Sequence, residues 1–109
     1  VNDGARILNG LFILLENGIA VPAPDLQTWV IGMENNDPGI RADVIGEVFI
    51  STVFLGLDHN LFGQGPPHLF ETMIFGGEHH QKQWRYPTQA DALEGHAHAI
   101  ELVGKTIDA

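Results

Sequence analysis

Four side chains have the types that acid–base or metal chemistry requires: Asp58, His59, Glu71 and His96. Two imidazoles and two carboxylates would suit Zn²⁺ or Mn²⁺, and a metal-bound water would make a small hydrolase of them. Asp58 and His59 close a long apolar stretch, where sites on sheets are often mounted. Glu71 stands among apolar neighbours, so a carboxylate there needs a partner. Arg85 and His96 are the candidates for that partner. The competing reading is structural. Asp58 caps loop backbone, Glu71 pairs with Arg85 across two strands, and His96 satisfies a helix–sheet contact. The chain has no His-Glu-x-x-His spacing to favour the metal.

Other motifs carry less. His79 and His80 are adjacent in a polar turn and cannot easily aim at one ion, so solvent is their expected surrounding. His96 and His98 are two apart on a helix and face different ways. Gly63-x-Gly65-Pro66-Pro67 lacks the Lys-Ser/Thr of a phosphate loop and reads as a rigid turn. Ser51 is the single serine and lies mid-strand, which disfavours a serine nucleophile. Trp29 and Trp84 read as core or interface anchors. No residue is assigned a catalytic role from these patterns, and no cofactor is expected.

The positioning elements are legible as follows. Leu11–Leu15 and Ile19–Val21 flank Asn17-Gly18, a hairpin signal in which both turn residues accept positive φ. Pro22 and Pro24 end the second strand. Asp25 caps a helix whose apolar face is Leu26, Trp29, Val30 and Met33, stopped by the breakers at 35–39. Strands are predicted over 42–45 and 48–57 around a type II′ Gly46-Glu47 turn, then over 69–75 and 84–86. Thr88 caps a last helix with Leu93, Ala97, Ile100 and Val103 as its stripe, widened by Ala90 and His96 and ended at Gly104. The expectation is one α+β domain over 1–109. It has an antiparallel sheet of about four to six strands, two helices packed on one face, and a loosely held lead-in at 1–10.

Strand 48–57 has apolar groups on both faces. Helices would cover one, and a partner chain or the N-terminal hairpin the other. A homodimer or higher homo-oligomer follows as an expectation. Fourteen acids against five bases leave a net charge of −9, which argues against nucleic acid and an anionic membrane surface as partners. The chain has no cysteine, so disulfides and thiolate zinc sites are excluded. The longest apolar run is too short to span a membrane, and nothing reads as a secretory leader.

Ser51-Thr52-Val53-Phe54-Leu55-Gly56-Leu57-Asp58-His59-Asn60 is a distinctive stretch. Gly65-Pro66-Pro67, Leu69–Gly77, Arg85-Tyr86-Pro87-Thr88, Ala92, Gly95 and His96 continue the pattern. Together they resemble a family of small uncharacterised proteins of bacteriophages, prophages and environmental phage-like sequences. The resemblance spans about 11–104 and is most specific over 51–77. It implies a phage-like origin and the cytoplasm of an infected or lysogenic bacterium, with no activity attached. The functional expectation is an accessory protein that acts by binding a host protein or a small molecule. The alternatives are the metal-dependent hydrolase on Asp58, His59, Glu71 and His96, and a minor virion component.

Overall fold

The computed structural model describes residues 10–60 and 64–108. The expected lead-in falls outside them except for Gly10, as do Leu61, Phe62 and Gly63 of the long loop. The chain runs β1 (Phe12–Leu14), β2 (Ala20–Pro22), α1 (Leu26–Asn35), β3 (Gly39–Ile45), β4 (Val48–Phe54), β5 (Phe70–Phe75), β6 (Gln83–Tyr86) and α2 (Gln89–Asp108). β1 and β2 pair as a two-stranded sheet; β3 to β6 form a four-stranded antiparallel meander in sequence order. The fold is α+β, with six strands in two sheets among the described residues.

Alternation sets the faces of the larger sheet. Along β4, Val48, Ile50, Thr52 and Phe54 are buried while Phe49, Ser51 and Val53 are not. Along β5, Phe70, Thr72 and Ile74 are buried while Glu71, Met73 and Phe75 are not. Helix α2 lies on the buried face, with Ala99 and Val103 against Val48, Ile50 and Ile74. Ala92 packs with Phe54, Leu69 and Phe70.

Both helices were expected on one face, but only α2 lies along the four-stranded sheet. α1 docks on β1 and on the end of β4. The Trp29 indole donates to the Gly56 carbonyl at 2.9 Å. Gly56 has φ +74°, and a Cβ there would stand 2.6 Å from Met33 Sδ. The helix turns inward through Trp29, Gly32 and Met33. Leu26 and Val30, expected in the stripe, are 55% and 38% exposed. The N-terminal hairpin also joins the helix side, where Phe12, Leu14 and Ala20 pack against the Phe54–Phe70 cluster. It does not cover the opposite face.

Local signals were mostly obeyed. Asp25 Oδ1 accepts from Thr28 N at 2.7 Å, and Thr88 Oγ1 accepts from Asp91 N at 3.1 Å. Gly46 takes φ +60° as the tight β3–β4 turn requires. In the first hairpin only Gly18 has positive φ. Asn17 instead accepts from Ile19 N through its side chain, so the turn closes over four residues. Gly104 does not end α2, which continues to Asp108. A helical glycine is tolerated at modest cost, and the helix's last turns are tied down by His79 Nε2 and Thr106 Oγ1 at 2.8 Å.

Of the expected α2 stripe, His96 and Val103 are buried and Leu93 and Ile100 half-buried, but the stripe is centred on smaller neighbours. Ala92, Gly95, His96, Ala99 and Val103 are buried, while Ala90 and Ala97 are exposed. Small residues bring the helix close to the strands. Tyr86 occupies the space above Gly95, where an added Cβ would lie 2.0 Å from the phenol oxygen. Gly95→Ala should therefore lower stability by about 2–3 kcal/mol through overpacking. Gly104, with open space around it, should gain up to ~1 kcal/mol on change to Ala. Urea unfolding of the two variants against wild type measures both signs.

Candidate functional site

The four candidate residues do not meet at one centre. Asp58 works inside its own loop: Oδ1 accepts from Asn60 N at 2.8 Å and from His68 N at 2.9 Å, joining the loop's two ends. Asn60 Nδ2 adds donations to the carbonyls of Gln64 and Pro66. His59 Nδ1 lies 2.7 Å from the Leu57 carbonyl and therefore carries the proton. Among the described residues, Asp58, His59 and Asn60 thus bond to backbone of their own loop.

Glu71 lies on the other side of the sheet from α2. It stands in register between Val53 and Arg85, and its Oε2 accepts from Arg85 Nε at 3.0 Å. The face of Met73 and Phe75 is therefore the open one and not the core. Leu69, just before the strand, turns into the core instead. The Glu71 side chain keeps 16% exposure and the Arg85 side chain 33%, so the pair is partly solvated.

His96 is fully buried on α2 and spends both ring nitrogens on the sheet. Nε2 is 2.7 Å from Asp43 Oδ2 on β3, and Nδ1 is 2.6 Å from Thr52 Oγ1 on β4. Thr52 Oγ1 is in turn 2.6 Å from Thr72 Oγ1 on β5. A carboxylate can only accept, so Nε2 carries the proton. In the neutral imidazole Nδ1 then accepts from Thr52, and Thr52 accepts from Thr72. Burial raises the Tyr86 phenol on β6 above its usual pKa, with Thr72 opposing the rise. Asp43 also accepts from Arg41 Nε at 2.9 Å. One chain of hydrogen bonds thus joins α2 to β3, β4 and β5.

The Asp43–His96–Thr52 order matches a carboxylate–imidazole–hydroxyl triad. Its hydroxyl, however, is 0% exposed and already shared with Thr72, so no substrate can reach it. Sequence reasoning found His96 but missed Asp43, Thr52 and Thr72. The available signal was two threonines at 52 and 72 on otherwise apolar strand faces. Buried hydroxyls require partners.

The paired histidines divide. His79 ties the β5–β6 turn to α2, and His80 Nδ1 accepts from Gly76 N at 2.7 Å. Neither is simply solvated. Trp29 anchors α1, and Trp84 borders a groove with Tyr86, Gly95 and His98. Among the described residues no group of three or more His, Asp or Glu is placed to hold a metal ion. No described helix is long and apolar enough to cross a membrane.

What the sheet does present is its open face. Val44, Phe49 and Phe75 are neighbours in register across β3, β4 and β5, at 69%, 40% and 39% exposure. The two rings pack on each other with centroids 5.9 Å apart. Met73 and Val53 extend the apolar area to the Glu71–Arg85 pair. No protein-family model, curated protein or solved structure matches the chain.

Two outcomes follow. The hydrogen bond from His96, then Arg41, lowers the Asp43 pKa below the ordinary carboxylate value, against the opposing effect of burial. A depressed folded-state pKa contributes stability above the unfolded value and loses it as pH falls through the folded one. Melting temperature should therefore drop as pH falls below about 4, and Asp43→Asn should flatten that acid limb while lowering stability at neutral pH. Glu71→Ala should cost about 1 kcal/mol in urea unfolding, because Arg85 can turn to water. A fully buried pair would cost about 3 kcal/mol.

Proposed function

We propose that this is a phage-like accessory protein that acts by binding, with a second copy of itself as its first partner. The observation that carries this reading is the open sheet face. Its residues are apolar except for Ser51, Gln83 and one ion pair whose charges cancel. The remainder of the chain carries the net charge of −9. Two such faces can meet without bringing like charges together, and the Phe49–Phe75 pair supplies the aromatic centre that protein interfaces favour. An isologous pairing also satisfies symmetry, since the same patch serves both copies. The engagement of Asp58, His59, Glu71 and His96 in loop, strand and helix contacts supports binding over hydrolysis. The sequence resemblance over 51–77 supports a role in the cytoplasm of an infected bacterium.

The test is solution mass. Analytical ultracentrifugation at micromolar concentration should give twice the mass of the chain. Phe49→Glu should reduce that to one copy with an unchanged far-ultraviolet circular dichroism spectrum. A wild-type monomer throughout the micromolar range would contradict the proposal.

A further inference from the structure

A second feature lies away from the open sheet face. A cavity of about 220 Å³ opens between β1, α1 and the end of β4. Leu14, Met33, Pro38 and Phe54 form its apolar walls. Gly32 faces the cavity from α1, and a Cβ there would already be 3.4 Å from Ile13 Cγ2. The missing side chain keeps helix and strand close while leaving the space open.

The rim has one chemical character. Glu16 and Asp37 bring two carboxylates, and no lysine or arginine lines the cavity. Asp37 uses Oδ1 to accept from Gly39 N, leaving Oδ2 for another donor. Asn36 gives its backbone N–H and one Nδ2 hydrogen to the Gly32 carbonyl, at 3.2 and 2.9 Å, and its amide oxygen has no donor of its own. Acceptors therefore outnumber donors at the mouth: the carboxylates of Glu16 and Asp37 and the Asn36 amide oxygen stand above apolar walls, against one remaining Asn36 amide hydrogen. A ligand that matches them must donate hydrogen bonds, carry positive charge and end in a small apolar body.

We propose that this cavity binds a small organic ammonium ion. The apolar part would lie against Met33 and Phe54, and the ammonium between Glu16, Asn36 and Asp37. The volume equals that of seven waters at about 30 Å³ each, which limits the ligand to one ring or a short branched chain. This site is independent of self-association, since its walls lie on the helix side of the fold.

Three probes with one ring and different charge test it: benzylammonium, benzyl alcohol and benzoate, titrated into ¹⁵N-labelled protein. Benzylammonium should give saturable amide shifts centred on Leu14, Gly32 and Met33. Benzyl alcohol should bind at least tenfold more weakly, and benzoate not at all. The double variant Glu16→Gln/Asp37→Asn retains shape and hydrogen-bond acceptors. It should weaken benzylammonium about tenfold and leave benzyl alcohol unchanged. Equal binding of the three probes, shifts centred elsewhere, no saturable shift at millimolar benzylammonium, or an unaltered affinity in the double variant would each overturn the proposal.

Discussion

A fully buried imidazole must find partners for both its nitrogens, and His96 finds them on two different strands. That requirement governs the rest of the structure. Nδ1 reaches Thr52 only if α2 lies close to the sheet, and α2 can lie close only because Ala92, Gly95 and Ala99 are small. Nε2 reaches Asp43 only if β3 is in its observed register, with Asp43 opposite Ile50. The hydrogen bonds therefore specify position more than they add net energy, since each replaces one made to water. A shift of one residue in β4 would turn Thr52 to the open face and strand His96 in the core.

Because the helix claims one face so tightly, the other is left without cover from the described chain. The hairpin and α1 do not compensate. They gather at the Phe54 end of the helix side, anchored by Trp29 to the Gly56 carbonyl. The result is a chain with two kinds of surface: an acidic exterior and one neutral apolar sheet face centred on Phe49 and Phe75. The cavity between β1 and α1 arises from the same arrangement, since a helix docked on a two-stranded hairpin cannot close completely against Gly32.

Much of this architecture was legible in the residues. Asn17-Gly18, Gly46-Glu47, Asp25 and Thr88 act locally, through turn and cap geometry that neighbours in sequence decide. They appear where the sequence puts them. The cross-strand neighbours Glu71 and Arg85 were legible for the same reason, because the β5–β6 hairpin fixes their register. What escaped depends on contacts distant in sequence. Hydrophobicity selects Ala97 and Leu93 for the helix stripe. The real stripe keeps the expected His96 and Val103 and adds Gly95, over which Tyr86 stands. Asp43 carries no local signal of its role, and only the fold brings it to an imidazole 53 residues away. Gly104 was read as a stop, but tertiary anchoring of the helix end through Thr106 outweighs that weak local preference. Of the candidate site, the sequence identified residues that need partners. It could not show that each is already partnered in a different place.

The central claim is that the buried hydrogen-bond chain commits one sheet face to the interior and leaves the other for a second copy. The most direct test is an isotope-filtered nuclear Overhauser experiment on a mixture of ¹³C-labelled and unlabelled protein. The account predicts contacts between copies from the rings of Phe49 and Phe75 and the methyl of Met73, which lie together on the open face. Contacts between copies confined to the unpaired edge of β3, or none from these three side chains at concentrations where they are well resolved, would contradict it.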